Sequence, residues 1–538
     1  GRWCTALERC ARAGVGVAVL KAGSSPAGAA AARSHTGALA GDQRVVRALF
    51  EECGALWARA PHELLEFAKA LAVTRRVEPR GGGERAGPVA GRGEPRGGGE
   101  VGGRGEQRGA RVGAGPGGGR GGSRVAVMTC SGGDASVAAD RAQRLGVPLP
   151  ALAPATVGGL RAVLPAVATA ENPLDYTALL WDEPAKLGRI VDVLAADPSV
   201  DRVLVFYDDA SEADASWAAV LDAVREAGAR AAVPVAVAST LPELLGDASA
   251  ARLQADGVAA IAGLETALRC LRALSAPSGD PSRIAALRAA ATRGGGTGDA
   301  AGIPAARGEG PADAAGISAG GGGRPADAAG ISAGDRPDGW LAEHEAKALL
   351  GAAGLPVVPG RLVADAEDAV AARHELGGAV ALKRSEPGLL HKAAAGAVEI
   401  GLASDDSVRA AYARLGAGTL LAERMAPPGV ELIVAARRGL VPALVVGLGG
   451  AWAELLDDVA VIPLPATPPR VERALRSLRG AARLQRIDVP AVARLAARAG
   501  ELLLEAGLHE IELNPVLAYP DGALAVDALA RRTNEETR

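Results

Sequence analysis

Short apolar bursts and amphipathic stretches alternate along most of this chain. "GVGVAVLKAG" (14–23) is a Val-rich run closed by Lys and Gly, the pattern of a buried strand. "DQRVVRALFEECG" (42–54) then reads as an amphipathic helix, with Asp at its start and Gly past its end. A short strand, "ALWA", and a helix over 61–72 complete a first block. A second block, 124–275, alternates regularly: strand "VAVMT", Gly turn, helix; strand "RVLVFY", helix; strand "VPVAVAS", helix; and a last strand near "GVAAI". That order predicts a doubly wound parallel sheet. A third block, 338–538, mixes helices and strands and closes on a hairpin.

Two stretches lack an apolar face. Residues 77–123 are almost entirely Gly, Arg, Glu and Pro. Residues 276–337 are Ala/Gly-rich and contain "PADAAGISAG" twice, at 311–320 and 325–334. Both are expected to be disordered linkers. The domain plan is therefore 1–76, linker 77–123, 124–275, linker 276–337, and 338–538.

Composition narrows the function. Apolar residues make up 49% of 538 positions, enough for several cores, but aromatics only 2%, too few for base-stacking platforms. A formal net charge of −3 gives no basic footprint for nucleic acid. No apolar run reaches the length of a membrane span. Five scattered cysteines (4, 10, 53, 130, 270) show no metal-ligand spacing and fit a reducing cytoplasm. The chain opens on a helix with no strand before it, so a preceding segment is expected to be missing.

Four places carry candidate chemistry. "SHTGALAG" (34–41) puts His35 on a small-residue loop at the carboxyl end of a strand, where α/β folds bind ligands. "TCSGGDASVAADRAQRLG" (129–146) follows a strand and opens a helix, so Ser131, Gly132 and Gly133 could present backbone N–H groups to a phosphate; a plain steric turn fits the same residues. "ALKRSEPGLLHKAAAGAV" puts Lys383 on a strand before a loop bearing His391 and Lys392, which suits nucleotide phosphates or an ordinary solvated surface. In "HEIELNPVLAYPDGALAVDALA" (509–530), pairing Tyr519 with Gly522 places Asn514 opposite Asp527, with Glu512 on the same face as Asn514. Hard oxygen donors of this kind suit Mg²⁺ bridging to phosphates, and a half-exposed hairpin with polar outer residues suits the pattern too.

Taken together and in order, "LKAG…SHTGALAG", "SGG…AAD", "NPLD", "LLHK", "GLGG" and "IELNP" resemble the nucleoside-diphosphate-forming acyl-CoA synthetases, which include ADP-forming acetate–CoA ligases and are related to succinyl-CoA synthetase. The resemblance implies flavodoxin-like, succinyl-CoA synthetase-type domains followed by an ATP-grasp domain. It implies that His35 is transiently phosphorylated and that His391 relays phosphate between His35 and ADP. Lys383 matches the lysine on the nucleotide phosphates, and Glu423, in "LLAERM", matches the hinge position near adenine. Asn514 and Asp527 match the metal ligands, and Glu512 the acid that steadies the phosphohistidine near the nucleotide.

The implied reaction interconverts acyl-CoA, ADP and phosphate with a carboxylic acid, CoA and ATP, with Mg²⁺ on the nucleotide. Its partners would be small molecules, with a homo-oligomer or a partner chain supplying the family's CoA-binding domain, which precedes the matching region and is absent here. Two departures stand out. The family's His-Lys-Ser-Asp reads "HKAA" here, and the acidic residue expected just before Gly1 falls outside the chain. The alternative is a regulatory module, the synthetase-like sensor of a protein lysine acetyltransferase. An ATP-grasp ligase joining a carboxylate to an amine would leave His35 and both flavodoxin-like blocks without a role.

Overall fold

The computed structural model describes residues 2–23, 43–73, 123–209, 215–293, 339–389, 392–393, 395–450 and 458–533. The described residues form two compact units, one of residues 1–68 with 278–538, the other of 69–277.

The second unit holds five parallel strands: β3 (Val125–Thr129), β4 (Leu174–Asp175), β5 (Arg202–Phe206), β6 (Val235–Ala238) and β7 (Ala259–Ile261). Their spatial order is β4-β3-β5-β6-β7. In chain order that is 2-1-3-4-5, the flavodoxin arrangement, whose ligand crevice opens at the carboxyl ends of the first and third strands. β3 and β5 are buried at every position, as continuous apolar runs covered on both faces must be. Ser131 caps the helix Gly132–Leu145, its hydroxyl accepting from the Asp134 N–H, and Gly146 ends that helix in a left-handed conformation (φ 65°). The expected alternation is therefore present, with one strand added: β4, only two residues long, inside "NPLD". Asn172 fixes that segment, accepting from the Val127 N–H at 2.9 Å and donating to the Val125 and Pro150 carbonyls at 2.9 and 3.0 Å.

The other unit contains three sheets. β1 (Ala18–Leu20) and β2 (Leu56–Ala58) pair in parallel. β8 (Gly360–Val363), β9 (Val380–Arg384), β10 (Val398–Leu402) and β11 (Leu420–Arg424) form an antiparallel sheet of order β10-β9-β11-β8. The helices Ala366–Leu376 and Asp405–Leu415 cover one of its faces, sharing a core that includes Val380, Leu382, Leu420 and Ala422. β12 (Val430–Arg437), β13 (Ala443–Leu448), β14 (Val459–Pro463), β15 (Leu508–Tyr519), β16 (Gly522–Ala525) and β17 (Ala528–Arg532) form the third. β15 runs through its middle, bonded to β12 on one side and to β16 and β17 on the other. The helix Val489–Glu505 covers this sheet with ten buried positions. Arg438 ties that helix to β15: its guanidinium donates to the carbonyls of Leu503, Leu504 and Leu508 at 3.0, 3.0 and 2.7 Å.

The linker expected over 276–337 is corrected at its start. Pro281–Arg293 is a helix. Asp280 caps it, accepting from the Ser282 N–H at 2.9 Å, and Ile284, Leu287 and Ala290 form a fully buried stripe. Spacing of three residues gives that stripe one face. Ile284 and Leu287 enter a core with Cys4, Leu7, Val46, Leu49, Phe50, Cys53, Ala55 and Val441. The backbones meet here: a Cβ on Gly279 would collide with the Cys53 carbonyl, and one on Gly54 with the Gly279 backbone. Arg283 fastens the contact, reaching Glu52 at 3.0 Å and the Pro463 and Pro465 carbonyls at 2.9 and 2.6 Å. Arg470 pairs with the same Glu52.

Candidate functional site

Two of the candidate residues, His35 and His391, lie outside the described residues. The others fall into two groups, one in each unit.

The larger group is a buried charge cluster, and it begins with strand alternation. Lys383 on β9 and Glu423 on β11 stand on strands that pair in register, Leu421 opposite Lys383 and Glu423 opposite Ala381. Their side chains meet: Lys383 Nζ lies 2.8 Å from Glu423 Oε2. β8 approaches this point through Gly360, where a Cβ would lie 2.7 Å from the Ala422 carbonyl oxygen and from Glu423 Cγ. Between β16 and β17 the chain passes through Val526 and Asp527, and the Val526 carbonyl accepts from Lys383 at 3.0 Å. Lys392 reaches Asp527 Oδ1 at 3.0 Å.

Sequence reasoning missed two members. Glu343 and Lys347 stand one turn apart on the helix Glu343–Ala352. The Glu343 side chain is fully buried, and its carboxylate lies 2.8 Å from Lys383, 2.8 Å from Lys347 and 3.1 Å from Lys392. Lys347 also pairs with Glu423 Oε1 and donates to the Val526 carbonyl at 2.6 Å. Lys347, Lys383 and Lys392 thus balance Glu343, Glu423 and Asp527 in a site largely closed to water. Burial works against the Glu343 charge, but the ammonium groups of Lys383, Lys347 and Lys392 outweigh it and hold the carboxyl well below the usual range. Burial also works against the Lys383 charge, and Glu423 and Glu343 outweigh it, so that ammonium sits above the usual lysine range. For Asp527 burial prevails and raises the carboxyl.

The hairpin brings Asn514 and Asp527 together. Tyr519 pairs with Gly522 and Ala518 with Ala523. Farther along, the Asn514 N–H donates to the Asp527 carbonyl at 3.3 Å. The Asn514 side-chain amide donates to Glu512 Oε1 at 3.4 Å, so these two side chains share a side of β15. Asn514 is exposed and Asp527 half-buried. Among the described residues no three His, Cys, Asp or Glu side chains form a metal cluster. One carboxylate beside one amide oxygen nonetheless suits Mg²⁺, which takes few protein ligands and completes its octahedron with phosphate and water. The donor set fits that ion.

In the other unit, Ser131, Gly132 and Gly133 do open a helix at the flavodoxin-type crevice. Three carboxylates surround that opening. Asp134 is raised by burial and by the nearby charges of Asp208 and Asp175. A Cβ on Gly132 would stand 3.2 Å from Asp175 Oδ2. Asp208 is held by the Thr240 N–H and hydroxyl, both at 2.7 Å. The first N–H groups of a helix favour an anion, and these acids oppose one. The glycine spacing made the helix start legible. The acidic residues around it come from three separate strand ends, a proximity no local pattern carries.

Residues 332–531 match the ATP-grasp domain family, and residues 1–71 match the succinyl-CoA ligase like flavodoxin domain. Over 208 residues the chain is 33% identical to subunit beta of acetate–CoA ligase (ADP-forming) I from Pyrococcus furiosus, covering 35% of this chain and 90% of that one. Trans-feruloyl-CoA synthase FCS1 from an unknown prokaryotic organism is 26% identical over 561 residues, covering 97% of this chain and 66% of the relative. The chain thus spans just under two thirds of that relative's length. Among solved structures, dinucleotide forming acetyl-coenzyme A synthetase 1 of Ca. Korarchaeum cryptofilum, in complex with coenzyme A, is 32% identical with a TM-score of 0.35, covering 36% of this chain and 94% of that one. No helix among the described residues is long and apolar enough to cross a membrane. With an ATP-grasp match carrying the buried lysine cluster, a succinyl-CoA ligase-type match at the other end, and a relative covered almost completely at one-third identity, the chain belongs to the ADP-forming acyl-CoA synthetases, the family of the acetate–CoA ligases.

Proposed function

We infer that this protein carries the phosphoryl-transfer portion of an ADP-forming acyl-CoA synthetase. The full reaction interconverts acyl-CoA, ADP and phosphate with a carboxylic acid, CoA and ATP. Phosphate displaces CoA from the acyl group to give an acyl phosphate, whose phosphoryl group passes to an imidazole nitrogen of His35 as the carboxylate leaves. Phosphohistidine then gives that group to the terminal oxygen of ADP, regenerating the neutral imidazole. His391 is the proposed relay on the nucleotide side.

The observation that carries this reading is the convergence of Lys383, Glu423 and Asp527 from two sheets on one buried, charge-balanced site, with the exposed Asn514 bonded through its backbone to Asp527 at the edge. Lys383 would hold nucleotide phosphate and Glu423 would face the adenine end. Mg²⁺, held by Asn514 and Asp527, would neutralise charge on the transferring phosphate. Glu512, beside Asn514, would steady the imidazole. Ser131, Gly132 and Gly133 are the proposed second anchor for the phosphoryl group, working against the acids nearby. The acyl group is left open by the relatives, one named for acetate and one for ferulate.

The test is labelling with terminally labelled ATP and Mg²⁺, followed by acid and base treatment. The wild-type chain should take up an acid-labile, base-stable label, and His35→Ala should take up none. Equal labelling of both proteins would remove His35 from the reaction.

A further inference from the structure

Lys347 and Lys383 reach the cluster from different elements, one from the helix Glu343–Ala352 and one from β9. They nevertheless use the same three acceptors. Each ammonium lies on Glu343 Oε1 at 2.8 Å. Each pairs with the Glu423 carboxylate, Lys383 at Oε2 and Lys347 at Oε1. Each donates to the Val526 carbonyl, Lys347 at 2.6 Å and Lys383 at 3.0 Å. Lys383 donates to Glu343 Oε1 and the Val526 carbonyl and ion-pairs with Glu423 Oε2, while Lys347 donates to Glu423 Oε1 and the Val526 carbonyl and ion-pairs with Glu343 Oε1.

Such duplication has a chemical consequence. A lysine that takes up a phosphate must release at least one acceptor it already holds. Released alone, a buried carboxylate or carbonyl is costly, and that cost would be subtracted from the binding of the phosphate. Here two of the atoms Lys383 can release, Glu343 Oε1 and the Val526 carbonyl oxygen, are already held by Lys347, and the Glu423 carboxylate keeps Lys347 on its other oxygen. The geometry points to Lys347 as a positioning residue for the nucleotide site: it keeps Glu343, Glu423 and the Val526 carbonyl satisfied, and so frees Lys383 to bind a nucleoside diphosphate. The inference rests on the reading of Lys383 as the phosphate-binding lysine.

The same geometry places Glu343 as a competitor of phosphate for Lys383. It also explains why Lys347 belongs on the helix: four residues from Glu343, it reaches Glu423 of one sheet and the Val526 carbonyl beside the other. Lys347 itself does not touch the nucleotide in this arrangement.

The test measures adenosine and ADP affinity, with Mg²⁺, for the full chain and three variants. Lys347→Met should weaken ADP at least tenfold and adenosine less than twofold, because Glu423 keeps Lys383 as its partner as long as no phosphate draws Lys383 away. Glu343→Gln should bind ADP at least threefold more tightly than wild type. The double variant Lys347→Met/Glu343→Gln removes one cation with one acceptor and should return to within threefold of wild type. A general loss of structure would weaken both ligands together and would not be rescued by a second substitution. ADP binding by Lys347→Met within twofold of wild type overturns the inference, as does a double variant no better than Lys347→Met. Should Lys347→Met fail to fold, Glu343→Gln decides, and weakened ADP binding there overturns the inference. A wild-type chain that binds neither ligand overturns the nucleotide-site reading itself, and the role of Lys347 with it.

Discussion

Lys392 Nζ stands 3.0 Å from Asp527 Oδ1, so an ammonium group occupies the carboxylate proposed to face the metal. A lysine and a divalent cation satisfy the same oxygen by the same electrostatics, and the higher charge prevails where phosphate supplies the remaining ligands. Asp527→Ala should therefore weaken ADP binding about tenfold in excess Mg²⁺, on the order of 1.4 kcal/mol. In chelator the loss should be smaller, because the metal contribution is already gone. Titration calorimetry under both conditions reads this directly, and an equal loss in both would take Asp527 out of the metal site.

The depressed carboxyl of Glu343 gives the cluster a pH signature. Its pKa is lower in the folded chain than its ordinary 4.5. The unfolded chain then binds more protons near and below that value, so stability is full above it and falls as the pH drops toward the folded pKa. Asp527, raised by burial, contributes with the opposite sign. Comparing wild type with Glu343→Gln isolates the first effect. The gap between their denaturant midpoints should be widest above about pH 5.5 and narrow steadily on acidification. A gap that widens toward acid would contradict the assignment.

Arg283 is the pin between the first block and β14. Arg283→Ala removes three contacts, one to Glu52 and two to carbonyls, from a guanidinium that is only 9% exposed. The expected cost is about 3–5 kcal/mol, the range for removing one partner of a buried charged pair. Arg470 still answers Glu52, which keeps the loss below the upper end. Hydrogen exchange should show the effect first in the helices Arg2–Arg12 and Pro281–Arg293. Unchanged protection there would mean that apolar packing alone holds the contact.

The cysteines should separate by environment. Burial pushes the Cys53 thiol up to about 12, with Cys4 and Glu52 adding to the shift. Cys4 is also raised by burial. Cys270 is wholly buried, whereas Cys10 is partly open. Alkylation near pH 8 should reach Cys10 well before Cys4, Cys53 and Cys270, because the thiolate is the reacting species. Mass spectrometry of a short time course distinguishes them, and early labelling of Cys53 would overturn this order.

What was legible in the sequence follows from how far apart the deciding residues lie. The strands around Lys383 and the turn at Tyr519–Gly522 could be read because a period of two and a Pro-Asp-Gly turn are local signals. Glu343 and Lys347 were not read. A Glu and a Lys four residues apart on a helix are the ordinary pattern of a solvent-facing pair. Only Lys383, Glu423 and Val526, brought from distant segments, turn that pair inward. The helix Pro281–Arg293 was hidden by its alanines, although Asp280-Pro281 and the Ile284–Leu287 spacing were a usable start signal. The acids around Gly132 were invisible for the same reason as Glu343: Asp134, Asp175 and Asp208 meet only once three strands are parallel.

The shared core of Cys4, Leu7 and Phe50 with Ile284, Leu287 and Val441 also governs the order in which this chain can acquire structure. On the ribosome the first 68 residues emerge long before their partners. At about 5–20 residues per second, roughly 20–90 s of synthesis separate Phe50 from β14. The 69–277 unit meets no such delay, since every strand of its sheet is made within that span. A nascent chain should therefore complete its interior unit first, and residues 2–58 should gain the helix Pro281–Arg293 next and Val441 and β14 only after that.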